Sequence, residues 1–345
     1  MQKRIFYSLI VLITLAGMVI YLNKYSTQKQ TLISINGQTM GTTYHIKLLQ
    51  ESSTTIDKIS LKKLIDQRLS EIDHRMSTYK QDSELSLFNR FPDKQWMPIS
   101  SELLYVVKTG QELSRRTNGA FDMTVGKLVN LWGFGPSTKE KIIPNQLQIN
   151  NLLQYCGYEK IQLKTQPPAI IKESNNIFLD LSAIAKGYAV DAVAKVILNN
   201  DINNFLVEVG GEIITKGHKI NNMPWVVGIE TPVSNKRKIR KKLHLNGAAM
   251  ATSGDYRNFF DYGGKRYSHT IDPRTGYPVK HTLASVTVVS GSCMKADGLA
   301  TAFMVMGPEK GLNFSEKNNI AIFMIIKNGD KFIEKQSAAF NKYLQ

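Results

Sequence analysis

The chain has 345 residues, an ordinary globular hydrophobic fraction of 42%, and two cysteines, Cys156 and Cys293, too few for a disulfide framework. Its formal charge of +16 comes partly from one run, Lys236-Arg-Lys-Ile-Arg-Lys-Lys242. No aromatic residue interleaves that run and no nucleic-acid motif accompanies it, so it reads as a solvated hairpin loop, and nucleic acid is not expected as a partner.

Residues 5–22 form an apolar segment preceded by Lys3 and Arg4. As a helix it reaches about 27 Å, close to the thickness of a hydrocarbon core. Its apolar core is long for a signal peptide and no Ala-x-Ala site follows, so an uncleaved anchor is favoured over a cleaved signal. The basic N-terminus then stays in the cytoplasm and the bulk of the chain is exported, placing it at a bacterial inner membrane, facing the periplasm or exterior. Leu15-Ala16-Gly17 resembles the start of a lipoprotein box, but Met18 occupies the position of the lipidated cysteine. Residues 1–30 are thus read as anchor and tether, and 31–345 as one catalytic domain.

Leu32–Ile35 and Thr43–Leu49 are expected strands around a turn at Met40-Gly41. Ile56–Met76 is an amphipathic helix with Leu61, Leu64, Ile65, Leu69, Ile72 and Met76 on one face. Asp82-Ser83-Glu84 starts a turn or helix. A further helix runs from Ser100 or Ser101 to Arg116 and stops at Asn118-Gly119. Leu128–Pro136, rich in Trp, Phe and Gly, is expected as a packed loop. Asn176–Leu181 reads as a strand, with Ser182 as N-cap of a helix carrying Ile184, Tyr188, Ala192 and Val196. Phe205–Val209 is a strand broken by Gly210-Gly211, and Trp225–Glu230 is another. Gly247–Gly254 reads as a small-residue turn. Ala284–Val289 is a strand feeding a helix that begins near Cys293, and Ile320–Ile326 is a late apolar strand. Helices and strands mix irregularly, which points to an α+β fold of mixed sheets with packed helices rather than a βαβ repeat.

Three stretches carry candidate chemistry. Asp297 and Thr301 lie four residues apart, one turn apart on a shared helix face. A carboxylate beside a hydroxyl suits a hard cation such as Mg²⁺, and the preceding helix start favours an anion. Together they suggest a phosphate ester. Asp180 to Lys186 places an acid at a strand end and a lysine in a helix, either a phosphate or flavin contact or merely a cap and a surface charge. His269 precedes a rigid turn, Asp272-Pro-Arg-Thr-Gly276, and is either a general acid or base or a histidine satisfied by backbone. Phe121 and Tyr79 either flank a planar ring or belong to the core. Gly-x-Gly-x-x-Gly and Walker-type signatures are absent, which argues against a standard dinucleotide or P-loop site. Cys293, at a helix start, and Cys156 are assigned no catalytic role.

Taken in order, these segments resemble the FAD:protein FMN transferases, the ApbE-type flavin transferases. The resemblance is carried by Met40-Gly-Thr-Thr-Tyr44, Met76-Ser-Thr-Tyr79 with Asp82-Ser-Glu84, Gly119-Ala-Phe-Asp-Met-Thr-Val-Gly126 and Leu131-Trp-Gly-Phe-Gly-Pro136. It continues through Asp180-Leu-Ser-Ala-Ile-Ala-Lys-Gly-Tyr-Ala-Val-Asp191, Val209-Gly-Gly-Glu212, Ala251-Thr-Ser-Gly-Asp-Tyr256, Ser268 to Pro278 and Ala296 to Thr301. It implies a T-fold-like architecture and an enzyme that uses Mg²⁺ to transfer FMN from FAD to a threonine or serine hydroxyl of a target protein, releasing AMP. The alternatives are an FAD pyrophosphatase and a non-catalytic FAD-binding protein of the envelope. Implied acceptors are flavoprotein subunits of membrane redox complexes of the NADH:quinone oxidoreductase or Rnf type. Carried onto this chain, the resemblance makes Asp297, Thr301 and the backbone oxygen of Ala183 the Mg²⁺ ligands. Met40, Tyr79, Ala120, Phe121, Asp122, Asp180, Lys186 and Ile271 would line the FAD site. His269 would carry the acceptor's proton, with Asp297 contributing. Met123 and Lys127 stand where many relatives have other residues, often proline.

Overall fold

A computed structural model describes residues 30–51, 55–135, 143–233, 238–255 and 259–344, together with Tyr7, Thr14 and Gly17. The proposed anchor, apart from those three residues, lies outside the described part, as do residues 136 and 256 of the quoted motifs. Among the described residues no helix is long and apolar enough to cross a membrane.

Eight strands form the central sheet. In chain order they are β1 (Thr31–Thr39), β2 (Thr42–Gln50), β6 (Phe205–Val209), β7 (Glu212–Lys216), β10 (Ala249–Gly254), β13 (Leu283–Ser290), β14 (Ala321–Asn328) and β15 (Lys331–Gln336). They lie side by side in that same order, and every pairing is antiparallel. The smaller sheets are β3 (Met97–Pro98), β5 (Pro168–Lys172) and β4 (Ile161–Thr165); β8 (Trp225–Glu230) with β9 (Ile239–Leu245); and β11 (Phe259–Tyr262) with β12 (Lys265–Ser268). Such segregated helices and antiparallel strands are the expected α+β arrangement.

The middle of the central sheet, at β13 and β14, is buried on both faces. Ile322 and Met324 of β14 point to the main core under the helices, whereas Ala321, Phe323 and Ile325 point to a second core under β8, β9 and Phe340. A strand covered on both sides reads as a continuous apolar run, which is why Ile320–Ile326 stood out. Met40 and Gly41, at φ 48° and 71°, make the tight turn between β1 and β2, whose twist matches the flanking strands.

Helix α1 (Lys58–Met76) is capped by Asp57, whose Oδ1 accepts from Ile59 N and Ser60 N. It buries Leu61, Ile65, Leu69, Ile72 and Met76. Leu64 is 45% exposed, because it stands about 100° around the helix from the centre of that stripe. Ser83 caps α2 (Glu84–Arg90), and Ser100 caps α3 (Ser101–Arg116), as their sequences require.

Four expectations change. Residues 128–136 are not wholly a loop: α4 (Gly126–Leu131) precedes the buried Trp132, whose Nε1 donates to Gly276 O at 2.9 Å. Asn176–Leu181 makes only an isolated bridge, Val125 to Phe178. The Asn89 amide there does the work of a neighbouring strand, accepting from Leu179 N (2.8 Å) and donating to Leu179 O (2.9 Å). Gly247–Gly254 contains the central strand β10, whose Ala249 and Ala251 are fully buried against the main core; small residues mark close packing here, not a turn. Residues 236 and 237 of the basic run lie outside the described part, and from Ile239 onward the run belongs to β9, where Arg240 (2.6 Å) and Lys241 (3.2 Å) pair with Glu334 of β15. The remaining helices are α5 (Gln146–Leu153), α6 (Ala185–Leu198), α7 (Cys293–Met306) and α8 (Pro308–Lys317).

Lys172 is a buried cation at the end of β5. Its Nζ donates to Phe88 O (3.2 Å) and Asn89 O (2.7 Å) in the last turn of α2. Burial lowers its pKa from 10.5 to about 8. The folded state therefore binds fewer protons than the unfolded chain between about pH 8 and 10.5, and this site's charging penalty, complete below pH 8, is relieved as pH rises. Urea unfolding should show wild type gaining stability relative to Lys172→Met from pH 8 to 10. At pH 10 the variant, with two carbonyls left unpaired, should be weaker by about 1–3 kcal/mol. A pH-independent difference would contradict this assignment.

Candidate active site

Helices α6 and α7 run against each other, and each supplies the carboxylate that caps the other. Asp191 of α6 accepts from Cys293 N (2.8 Å), Met294 N (3.0 Å) and Ser292 Oγ (2.7 Å) at the start of α7. Asp297 of α7 accepts from Gly187 N in the first turn of α6 through Oδ2, at 2.9 Å. Amides of a first helical turn have no partner within the helix, so a carboxylate is favoured at both places. Gly187 allows the approach: a Cβ there would collide with the Cys293 carbonyl and lie 2.8 Å from Asp297 Cβ.

This arrangement corrects the reading of the α7 start as an anion site. Asp191 takes the first two amides and Ser292 Oγ takes Lys295 N, so those donors are already engaged. Ser182 is likewise not an N-cap. Helix α6 begins at Ala185 with Ile184 in the cap position, and Asp180 Oδ1 accepts from Ser182 N at 2.8 Å in a local turn. Cys293 is buried, and burial holds its thiol well above the ordinary value; burial also pushes Cys156 up to about 12. Both are free thiols with no tendency to ionise near neutral pH.

Beside the helix pair lies a cleft of about 410 Å³. Its lining includes eleven of the twelve sequence-selected residues: Tyr79, Ala120, Phe121, Asp122, Asp180, Ala183, Lys186, His269, Ile271, Asp297 and Thr301. Met40 is the exception. It lies in the β1–β2 turn and packs against the main core instead.

Two buried carboxylates and the half-buried Lys186 form one wall. Lys186 Nζ lies 3.2 Å from Glu212 Oε1 and 3.7 Å from Asp297 Oδ1. Burial pulls the Lys186 pKa down, but Asp297 and Glu212 outweigh it and hold the ammonium above its ordinary range. Burial raises Glu212 to about 7 against the pull of Lys186, and raises Asp297 in the same way. Two buried carboxylates share one ammonium, so the fully ionised cluster carries one uncompensated negative charge. Glu212 Oε2 is buried without a hydrogen-bond partner. Thr301 Oγ1 stands 3.4 Å from Ser253 Oγ at the end of β10. No group of three or more His, Cys, Asp or Glu among the described residues is arranged to hold a metal. Any cation must draw on mixed oxygens: the Asp297 carboxylate, hydroxyls and backbone carbonyls. Such hard donors and an excess of negative charge fit a small divalent ion.

The rest of the lining mixes apolar and polar side chains. Ala120 and Phe121 are buried. Asp122 commits both oxygens to its own loop, Oδ1 accepting from Thr124 N and Oγ1 and Oδ2 from Tyr158 N. Tyr79 is exposed at the cleft mouth. His269 follows β12, its ring edge-on to Phe134 with centroids 6.3 Å apart. The turn behind it is locked: Gly276 N donates to Asp272 O at 2.8 Å, and Arg274 forks onto the Asp272 carboxylate. Sequence reasoning assigned no role to Glu212, Ser253 or Asp191, although all three fall within quoted motifs. A carboxylate immediately after Gly210-Gly211 and just before Ile213-Ile214 was the available signal for Glu212.

The ApbE family profile matches residues 40–324. The chain belongs to the ApbE family. It is 43% identical over 312 residues, 90% of this chain and 92% of the other, to the FAD:protein FMN transferase of Vibrio cholerae. It is 42% identical over 320 residues to that of Haemophilus influenzae, covering 91% and 92% of the two chains. Among solved structures, Flavin Transferase ApbE from Vibrio cholerae superposes with a TM-score of 0.84 at 41% identity, over 92% of this chain and all of that one. The apo form of Pseudomonas stutzeri flavinyl transferase ApbE gives 0.84 at 36% identity, over 91% and 97%.

Removing the Asp191 carboxylate should leave the start of α7 uncapped. Asp191→Ala should cost about 1–3 kcal/mol in denaturant unfolding, with Asp191→Asn losing less. A loss within about 0.5 kcal/mol for Asp191→Ala would show that surface-like behaviour, not capping, describes this residue.

Proposed function

We propose that this ApbE-family enzyme is an FAD:protein FMN transferase that uses Mg²⁺ to move FMN from FAD to a threonine or serine hydroxyl of an acceptor protein, with AMP as the second product. The observation that carries the reading is Lys186 held between the buried carboxylates of Asp297 and Glu212, facing a cleft beside Thr301. A phosphate-binding enzyme needs cationic compensation at such a place, whereas simple retention of a flavin does not require it.

Asp297, Thr301 and the Ala183 carbonyl would hold the ion. When bound, Mg²⁺ supplies charge neutralisation at the FAD pyrophosphate. Lys186 binds the same phosphates from the first turn of α6. Ala120, Phe121 and Ile271 offer apolar surface to the flavin, with Tyr79 at the mouth. His269, held by its locked turn, takes the acceptor hydroxyl's proton. The hydroxyl oxygen bonds to the phosphorus on the FMN side, the bond from that phosphorus to the AMP phosphate oxygen breaks, and AMP leaves. Met40, set back from the cleft, would act through the turn it fixes. We further propose that residues 5–22 hold the catalytic domain at the outer face of a bacterial inner membrane, beside acceptor subunits of NADH:quinone oxidoreductase or Rnf-type complexes; the basic start of that segment motivates this.

One incubation tests the transferase reading. The protein is mixed with FAD, Mg²⁺ and a peptide carrying Asp-Gly-x-Thr-Gly-Ala-Thr, and the peptide is weighed by mass spectrometry. A mass increase equal to FMN esterification is expected. FMN and AMP formation without an adduct would favour the pyrophosphatase instead.

Two variants separate the roles. Asp297→Ala should bring Mg²⁺-dependent adduct formation to background, and full activity would remove its metal role. His269→Ala should slow transfer far more than it weakens FAD binding by fluorescence titration; equal losses would argue against proton transfer.

A further inference from the structure

Glu212 is 4% exposed and lines the cleft, yet only one of its oxygens is engaged. Its backbone is fixed. Gly210 and Gly211, at φ 62° and 106°, turn β6 into β7, Val209 pairs with Glu212, and Glu208 Oε1 accepts from Gly211 N at 2.6 Å. The same turn packs on the stem of Lys186, since a Cβ at Gly210 would lie 3.4 Å from Lys186 Cδ. The turn thus fixes the Glu212 backbone beside the Lys186 stem, and the ammonium, at the end of a four-carbon chain, lies between two carboxylates. The ammonium is within hydrogen-bond reach of Glu212 Oε1 at 3.2 Å but outside it from Asp297 Oδ1 at 3.7 Å.

We infer that Glu212 is a positioning residue: its carboxylate holds the Lys186 ammonium away from Asp297, leaving Asp297 Oδ1 open to a divalent cation. The inference rests on the Mg²⁺-dependent reading given above. Asp297 Oδ2 is already engaged by Gly187 N, so Oδ1 is the oxygen available to an ion. Without the charge of Glu212, Asp297 is the buried carboxylate that remains beside Lys186 among the described residues. A shift of about half an ångström would close that ion pair to hydrogen-bonding distance. The lysine would then neutralise Asp297 and stand where the cation should bind. Glu212 thus decides whether Lys186 serves as a phosphate contact or as a competitor of the metal.

The test reads metal binding directly, with Mn²⁺ as the probe, by electron paramagnetic resonance titration of the full protein with saturating FAD. Glu212→Gln keeps the shape and removes the charge. It should weaken Mn²⁺ binding by about 10–100-fold, the usual consequence of losing a partner that orients a metal ligand. Lys186→Met should bind Mn²⁺ at least as tightly as wild type. In that background Glu212→Gln should change the affinity by less than about twofold, because the competing ammonium is gone; such non-additivity is the signature of action through a shared partner. An unchanged affinity in Glu212→Gln would overturn the inference. So would an equal loss with and without Lys186, which would make Glu212 act on the ion itself. If Glu212→Gln does not fold, Lys186→Met decides alone, and weaker Mn²⁺ binding in that variant would be contradictory. A wild-type protein that binds no Mn²⁺ and turns over without divalent ions would sink the Mg²⁺ reading and this inference together. A responsive wild type with additive variants would sink only the inference.

Discussion

The site depends on a reciprocal exchange of carboxylates between two antiparallel helices. Asp191 caps α7 and Asp297 caps α6, each satisfying amides that the other helix leaves unpaired. Capping bonds of this kind contribute on the order of 1 kcal/mol each. Their larger consequence is geometric. They set the relative height of the helices so that Asp297 meets Gly187 in the first turn of α6, immediately after Lys186 in sequence. Gly187 lets the backbones approach closely enough for this to happen, and β10, with its buried alanines, packs against α7.

The same exchange explains an electrostatic imbalance. A buried carboxylate costs free energy unless it is compensated, and the single ammonium of Lys186 serves both Asp297 and Glu212. The raised pKa of Glu212, near 7, expresses that shortage. In a purely structural cluster a neutral side chain would be the more stable choice. Retaining the second acid makes sense where additional positive charge arrives with a ligand. This is the physical basis for reading the cleft as a place where a cation and a polyphosphate meet, with Asp122 and Asp180 accepting hydrogen bonds from their own loops.

Much of the fold was legible along the chain because local and tertiary demands agree. Strands β6 and β8 begin and end where their alternation does, and α1 and α3 carry both a side-chain cap and an apolar stripe. Legibility failed where a distant group replaced a local signal. The segment at Leu179 is extended yet has no strand partner, since Asn89, 90 residues earlier, satisfies its backbone. Strand β10 looks like a turn because packing near α7 demands small residues. The site followed the same rule. Asp297 and Thr301 were visible as an i, i+4 pair and His269 by its rigid turn. Asp191 as a cap was not, because its amides lie about a hundred residues away, at Cys293 and Met294. Glu212 was passed over because an acid at a strand start also reads as ordinary surface.

We propose that the oxygens on one face of α7 hold a divalent ion against the pyrophosphate of FAD. The most direct measurement is an anomalous-difference map from crystals grown with FAD and Mn²⁺. One strong peak is expected within about 2.0–2.3 Å of Asp297 Oδ1 and Thr301 Oγ1, also bonded to phosphate oxygen, with Lys186 still seated on Glu212. FAD bound in the cleft with no peak there, or with Lys186 paired to Asp297 in place of the ion, would contradict it.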